Sequence, residues 1–176
     1  MDVDGEDFLP CRSAMGASRV GRSGEVKDVT TLSYETEMVI GRAPEDVFDY
    51  CSDLRSELRW NPKVKYVEKL TDGPVGVGTR YGAQWANSGP TAVEVTQFDR
   101  PRSWETNAKA RGMGIRFHGI VANAAPGARY IAYLELRPKG LAWLVAPLAL
   151  LAMRRQDQKN MRRIREALES STVTSD

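Results

Sequence analysis

The sequence predicts an α+β fold in which one antiparallel sheet of about seven strands packs against a long C-terminal helix. Short runs of alternating apolar and polar residues follow one another from residue 64 to 136, separated by turns rich in glycine and proline. A long stretch at helical spacing, residues 141–168, comes only after the last of these runs. Strands joined by short turns pair antiparallel, and a sheet with one apolar face needs a helix to cover that face.

The N-terminal part of the domain is predicted to contain one strand and two short helices. Residues 1–31 show neither periodicity, so we expect a flexible extension, in which the true start is open between Met1 and Met15. A strand follows over residues 33–40. Pro44 suits a first helical turn, and helices are expected over 44–51 and 54–58.

Six further strands are predicted after the second short helix, over residues 64–70, 79–87, 91–98, 103–109, 115–124 and 128–136.

The glycine-rich loop 72–78 resembles a phosphate-binding loop only superficially. It lacks the Gly-Lys-Ser/Thr ending and runs into a strand, so no helix N-terminus faces a phosphate there. We interpret the loop 72–78 as a tight connection at the mouth of a pocket.

The long C-terminal helix begins with an apolar run, residues 141–153, and then becomes strongly basic. This run of 13 residues is shorter than the roughly 18–20 that span a bilayer, so a buried helix is expected. Pro147 should mark a kink or a join between two helical pieces. The stripe predicted to face the sheet consists of Leu144, Leu148, Leu151, Met161, Ile164 and Leu168. The domain is therefore expected over 32–170, followed by a flexible tail, 171–176.

The composition is typical of a soluble globular domain, with 41% hydrophobic and 27% charged residues. A net charge of +2 does not by itself indicate nucleic-acid binding. The positive charge is concentrated, however, because Lys139 to Glu169 contains seven Lys/Arg and only three Asp/Glu. Cys11 and Cys51 lack metal-ligand spacing, and the acidic start is unlike a secretory signal, so a cytoplasmic protein is expected.

Four segments and the final helix, in this order, resemble a known superfamily. The segments are 43–48 (APEDVF), 60–62 (WNP), 76–81 (GVGTRY) and 98–102 (FDRPR). The chain resembles the START-like, birch-pollen-allergen-like superfamily (SRPBCC) over residues 35–170, and within it the polyketide cyclase/dehydrase-type branch. The resemblance implies a helix-grip fold, a curved sheet wrapped around the last helix with an apolar cavity between them. Roles in such families range from lipid and quinone carriage to aromatic cyclisation, so the fold does not determine the function.

Strand alternation predicts an apolar and aromatic inner face that suits a hydrophobic ligand. The alternative is a packed core without a cavity, against which the small residues Ala83 and Ala132 favour open space. The candidate ligand-binding residues are Trp60, Tyr81, Trp85, Val93, Val95, Trp104, Thr106, Phe117, Val121, Tyr130, Ala132, Leu144, Leu148 and Leu151.

Catalytic residues are harder to assign, because no nucleophile, base and orienting group occur in a recognisable set. His118 is the only histidine, but the alternation that places Phe117 inside places His118 outside. Tyr81 and Tyr130 are the other weak candidates, as donors to a ligand carbonyl. No cofactor and no metal are expected.

The predicted function is reversible binding, and with it transport, of a hydrophobic small molecule such as a polyketide, quinone, sterol or acyl lipid. One alternative is a polyketide cyclase or dehydratase that uses the same cavity. Another is a membrane-surface carrier or adaptor, for which a solvated outer helix face is the simpler explanation. The residues that would contact an anionic membrane are Arg154, Arg155, Lys159, Arg162 and Arg163.

The sequence also suggests where a ligand would enter. Flexible backbone is expected in the loop 73–78, in the turn 111–114 and near Gly140, with Met113 and Trp143 as apolar residues on either side of the entrance.

Nucleic acid is not expected as a partner, since aromatic residues do not alternate with the C-terminal arginines. The oligomeric state is left open.

Overall fold

The computed structural model describes residues 31–86, 88–110 and 113–170. The predicted tail, and the predicted extension except for its last residue, lie outside the described residues. The elements in chain order are β1 (Leu32–Ile40), α1 (Pro44–Ser52), a 3-10 turn (Leu54–Ser56), α2 (Glu57–Trp60), β2 (Val64–Lys69), β3 (Arg80–Trp85), β4 (Thr91–Asp99), β5 (Ser103–Ala110), β6 (Met113–Ala124), β7 (Gly127–Pro138) and α3 (Ala142–Ser170). This order confirms the predicted α+β class.

The seven strands form a single antiparallel sheet in the order β1-β7-β6-β5-β4-β3-β2. Consecutive strands from β2 to β7 are neighbours, as their short turns require. The exception is β1, which pairs with β7 from Leu32 opposite Leu136 to Ile40 opposite Ala128. Helix α3 lies mainly against β1 and β7 and also touches α2. The helix-grip arrangement is therefore confirmed.

One end of the inner side of the sheet is a closely packed core. The indole ring of Trp104 stacks on Tyr130, with ring centroids 5.9 Å apart, and Phe48 of α1 meets it edge-on at 5.3 Å. Met161 and Ile164, from the C-terminal half of α3, are buried in the same cluster. Aromatic stacking and the burial of apolar side chains stabilise this end, so any open space must lie elsewhere on the inner side.

Helix α3 departs from the prediction in its first half. Leu144 is 80% exposed, Leu148 72% and Leu151 45%, so the prediction that these residues face the sheet is wrong. At 3.6 residues per turn, the ten residues from Leu151 to Met161 make about 2.8 turns, so the two groups of apolar residues lie on different sides of the helix. The inner side of this half carries smaller or half-buried residues, namely Ala146, Leu150 and Met153.

Pro147 does not divide the helix, which runs without interruption from Ala142 to Ser170. The predicted join between two helical pieces is therefore not present. The helix begins tightly, with backbone amides bonded three residues back, as between Leu144 N and Leu141 O at 3.1 Å. Gly140 immediately before it has a φ of +56°, a conformation that glycine adopts at low cost.

Candidate functional site

A row of residues in register crosses the middle of the inner side of the sheet. We call it the inner row, and its members on β1, β7, β6, β5 and β4 are Tyr34, Leu134, Phe117, Thr106 and Val95. Phe117 and Thr106 are only half-buried, although they occupy the two central strands. Ile115 and Ala108, which pair in the next row, are half-buried as well. Central residues on the covered face of a sheet stay accessible only where the covering elements leave space.

A carboxylate from α3 reaches one end of the inner row. The hydroxyl of Tyr34 donates a very short hydrogen bond to Asp157 Oδ2, and Asn160 Nδ2 lies 3.5 Å from Oδ1. Burial raises the pKa of Asp157, while the bonds from Tyr34 and Asn160 act in the opposite direction. Asn160 is itself buried and accepts a bond of 3.0 Å from Gln156. The inner side of α3 is therefore polar at this level.

A second carboxylate, Glu57 at the start of α2, faces the other half of the sheet. Its Oε2 accepts hydrogen bonds of 2.9 Å from Trp85 Nε1 on β3 and of 2.9 Å from Asn61 Nδ2. Oε1 has no hydrogen-bond partner among the described residues. Glu57 is half-buried, and burial is the main influence on the pKa of its carboxyl group.

Glu57 and Asp157 are close enough to influence each other, and we call them the carboxylate pair. Burial raises the pKa of Glu57 to about 7; the bonds from Trp85 and Asn61 oppose this, and the Asp157 charge adds to it. Burial also raises the pKa of Tyr130, and the charges of Asp157 and Glu57 contribute. Near neutral pH the pair therefore holds at least part of a proton, and the Tyr130 hydroxyl stays neutral.

Further polar groups on this side of the sheet are left without partners. Thr36 Oγ1 and Tyr50 Oη are buried and make no hydrogen bond among the described residues. Burying a hydroxyl without a partner is costly, so native proteins usually pair such groups with protein, water or a ligand. These hydroxyls are candidates to bind water or a polar ligand atom.

All the residues predicted to bind a ligand except Thr106 fall into three groups. Tyr81, Val93 and Val95 form a small buried cluster against which Trp85 packs. Trp104, Val121, Tyr130 and Ala132 belong to the packed core, with Trp60 and Phe117 against it. Leu144, Leu148 and Leu151 are exposed on the far side of α3 and do not line the inner side, so their predicted position is corrected. The candidates with accessible surface on the inner side are Trp85, Thr106 and Phe117.

The three weak catalytic candidates are not brought together. His118 lies on the outer face, opposite Glu105 on β5 and Tyr133 on β7. The Tyr81 hydroxyl donates a hydrogen bond of 3.4 Å to Asp53 Oδ1, and its pKa is raised by burial and further by the Asp53 charge. Tyr130 alone lies near the carboxylate pair. No group of three or more His, Cys, Asp or Glu within 31–86, 88–110 and 113–170 is arranged to hold a metal ion.

Sequence reasoning missed the carboxylate pair. Asp157 could have been found, because it and Asn160 occupy the same side of α3 as Met153, Met161 and Ile164. Polar residues on an otherwise apolar helical stripe indicate buried polar groups, which need hydrogen-bond partners and are candidates for a functional site. Glu57 carries no such signal, since its position depends on α2 meeting Trp85 of β3 in the folded chain.

Two open surface grooves lie away from this site. One, of about 480 Å³, runs between α2 and the end of α3 and includes Trp60 and Arg163. The other, of about 580 Å³, lies on the outer side and includes His118 and Asp99. Neither contains Glu57 or Asp157. Both are open to solvent, so we place the candidate site between the inner row and the carboxylate pair, where apolar and polar side chains meet.

Comparison with known proteins agrees with this architecture. A family model described as "Polyketide cyclase / dehydrase and lipid transport" matches residues 31–169. No curated protein matches the chain significantly.

Solved structures share the fold at low sequence identity. The crystal structure of Ara h 8.0201 has a TM-score of 0.63 at 16% identity and covers 80% of this chain and 99% of its own. The protein CV1439 from Chromobacterium violaceum has a TM-score of 0.59 at 14% identity, covering 78% and 96%. The di-domain ARO/CYC BexL from the BE-7585A biosynthetic pathway has a TM-score of 0.65 at 11% identity, covering 80% of this chain and 51% of its own. At these identities the similarity establishes the fold alone.

Proposed function

The chain belongs to the polyketide cyclase/dehydrase and lipid transport family, and from that premise we propose that it binds a hydrophobic small molecule on the inner side of its sheet. The observation that carries this proposal is the accessibility of Phe117 and Thr106 at the centre of the covered face. A mostly apolar space with a few convergent polar groups is the usual form of a small-molecule site. The space would lie between the inner row and α3.

The polar groups indicate what such a ligand should carry. A carboxyl that keeps its proton near neutral pH can donate a hydrogen bond to a carbonyl or hydroxyl oxygen, and the pKa of Glu57 is about 7. An anionic ligand group beside Glu57 and Asp157 would instead meet like charge. We therefore expect an oxygenated ligand of the polyketide, quinone or sterol type that carries no anionic group at this end. An acyl lipid whose polar end is neutral would also meet this requirement.

Native mass spectrometry of the purified protein, followed by solvent extraction, tests the proposal directly. A bound molecule should appear as an added mass that extraction removes, and the neutral fluorophore N-phenyl-1-naphthylamine should bind the emptied protein saturably. Thr106→Trp should fill the space and abolish fluorophore binding. Asn107→Trp is the matched control, since Asn107 is the next residue of β5 and is exposed on the outer face.

Two results would contradict ligand binding at this site. One is the absence of both added mass and saturable fluorescence in the wild-type protein. The other is fluorophore binding that Thr106→Trp leaves intact while circular dichroism shows both variants folded. In the second case the fluorophore would occupy another surface, such as one of the two open grooves.

A second candidate function is a cyclase or dehydratase, and Glu57 is the observation that favours it. General acid–base catalysis works best when the pKa of the group lies near the working pH, and Oε1 of Glu57 has no partner among the described residues. In a dehydration, one carboxylate of the pair would take a proton from the carbon beside a carbonyl. The other carboxyl would give its proton to the departing hydroxyl, releasing water.

Catalysis can be distinguished from simple ligand binding with single-residue variants. Glu57→Gln should retain N-phenyl-1-naphthylamine binding but lower the turnover of a β-hydroxyketone polyketide analogue by about 100-fold or more. His118→Ala should leave turnover unchanged, because His118 lies on the outer face. Equal turnover in wild type and Glu57→Gln would remove the proposed catalytic role without affecting the binding proposal.

A further inference from the structure

The outward side of α3 has an unusual composition along its length. In its first half, and just before it, large apolar side chains face solvent: Leu141 is 83% exposed, Leu144 80%, Val145 59%, Leu148 72% and Leu151 45%. Their spacing of three and four residues places them on one side of the helix, and we call them the apolar stripe. Soluble proteins seldom leave so many large apolar residues contiguous on the surface without a partner.

The same outward side becomes basic in the second half of the helix. Arg154, Arg155, Lys159 and Arg162 are exposed and have no carboxylate partner among the described residues. We call these four residues the basic band. Acidic residues return to this side only at Glu166.

The basic band differs from other exposed cations because its four members lie together on one helix, next to the apolar stripe and without a carboxylate partner among the described residues. Arg55, Arg100 and Arg102 are also exposed, but each is paired with an aspartate at 2.6 to 2.8 Å. Cations without partners beside an apolar stripe form a surface complementary to one that is both anionic and apolar. A bilayer containing anionic lipids has that combination, with phosphates outside and acyl chains beneath them.

We propose that α3 docks this protein on the surface of an anionic bilayer. The apolar stripe would enter the boundary between headgroups and acyl chains, and the basic band would lie on the phosphates. The helix would be tilted, with its first half deeper than its second. Among the described residues no helix is long and apolar enough to cross a membrane, so the contact is interfacial.

A second copy of the chain is a weaker explanation for the stripe. Pairing two α3 helices in parallel would bring the two basic bands together, which is unfavourable. Antiparallel pairing centred on the stripe would bury only its short length and leave both bands unpaired at the ends. Stable dimers usually bury about 800 Å² on each partner, more than one short helical stripe provides.

Docking would also bring the candidate ligand site to the membrane. Leu150 and Met153, on the inner side of the same helical turns, pack against the cluster of Tyr34, Leu134 and Leu136. The segment that enters the bilayer would thus be a wall of the site. This consequence rests on the proposed function, whereas docking itself does not and would stand if no ligand were found.

Co-sedimentation of the full chain with vesicles tests the proposal. Binding is expected to vesicles of phosphatidylcholine with phosphatidylglycerol, to be much weaker with phosphatidylcholine alone, and to fall as salt rises. Leu144→Ser with Leu148→Ser should weaken binding about tenfold or more, because both side chains leave water on docking. Arg155→Glu with Lys159→Glu should weaken it about tenfold or more and remove much of the salt dependence.

Matched controls use exposed residues on another part of the surface. Leu70→Ser with Val77→Ser removes two apolar side chains that are 57% and 69% exposed, and should leave vesicle binding unchanged. Lys65→Glu with Arg80→Glu, both exposed on β2 and β3, is the charge control. All variants should unfold at the wild-type temperature, since every substituted side chain is exposed.

Three outcomes would overturn docking. The first is no binding of the wild-type protein to the anionic vesicles. The second is binding that the stripe variant leaves unchanged. The third is a dimer in light scattering that Leu144→Ser with Leu148→Ser converts to a monomer while no vesicle binding is seen, which would assign the stripe to self-association.

Discussion

The indole ring of Trp104 lies directly on Gly119, where β5 and β6 pair, so close that a β-carbon on the glycine would fall 2.4 Å from the ring. The ring cannot easily move away, because Trp104 is 2% exposed and is held by Tyr130 and Phe48. The missing side chain at position 119 is therefore what allows the inner face to accommodate tryptophan there.

We expect Gly119→Ala to lower the free energy of unfolding by about 1–3 kcal/mol, since the added methyl group overpacks a rigid core. Urea denaturation would measure the change. Gly76→Ala is the control: an added β-carbon at Gly76 meets nothing within 4 Å, and its φ is not in the left-handed region. Equal stability of wild type and Gly119→Ala would show that the Trp104 ring can shift.

The side of α3 that faces the sheet can be tested by shortening one side chain on each side of the helix. Ile164 is 4% exposed and Leu148 is 72% exposed. Ile164→Ala should cost about 2–5 kcal/mol of unfolding free energy, and Leu148→Ala less than about 0.5 kcal/mol. Chemical denaturation of both variants under the same conditions decides the matter. The reverse ranking would mean that the helix is seated with its apolar stripe against the sheet.

The carboxylate pair predicts how stability changes with pH. The folded pKa of Glu57, about 7, lies above its ordinary value of 4.5, so the folded state binds the proton more tightly. The corresponding stability is present below about pH 4.5 and is lost as pH rises through about 7, at most about 3 kcal/mol. The raised pKa of Asp157 acts in the same direction.

Glu57→Gln should therefore flatten the fall in unfolding free energy between about pH 5 and pH 8, measured by urea denaturation at several pH values. Glu94→Gln, on the exposed side of β4, should leave it unchanged. The lowered pKa values of Asp49, Asp53 and Asp99 act in a more acidic range and do not mask the effect. A wild-type protein whose stability is constant across this window would contradict the assignment.

The entrance to the ligand site remains a prediction. Protection from hydrogen exchange on binding N-phenyl-1-naphthylamine should concentrate in residues 73–78, 110–115 and 139–146. Within them the structure shows left-handed glycines at Gly73, Gly78 and Gly140, where the backbone has unusual freedom. Protection confined to 44–58, or spread evenly over the chain, would place the entrance elsewhere.

The strands could be predicted from the sequence because their alternation is local. Each residue in a strand faces opposite to its neighbour, so Trp104, Thr106 and Ala108 necessarily share a face, and the structure has them in register with Gly119, Phe117 and Ile115. A short window is enough to establish such a pattern.

Helix α3 could not be oriented in this way. Small errors in angular position accumulate along a helix, and both of its sides carry apolar residues, so periodicity does not distinguish the side that meets β1 from the side that carries Leu148. Contact with the sheet decides between them. The carboxylate pair is also a product of the fold, since Glu57 acquires its environment from Trp85 and Asn61 only after α2 is in place.

The pairing of β1 with β7 has a consequence for the order of events during synthesis. Leu32 finds its partner only when Leu136 has left the ribosome, so the first strand made must wait for the last. Until β7 begins to emerge at Gly127, the strands of the nascent chain can pair only as the meander of β2 to β6, which has a free edge at β6, and the part of its apolar face that α3 covers stays exposed for longer. Closing so long a loop costs chain entropy before any contact is gained, which slows folding. The growing chain is thus most prone to aggregate just before its final helix emerges.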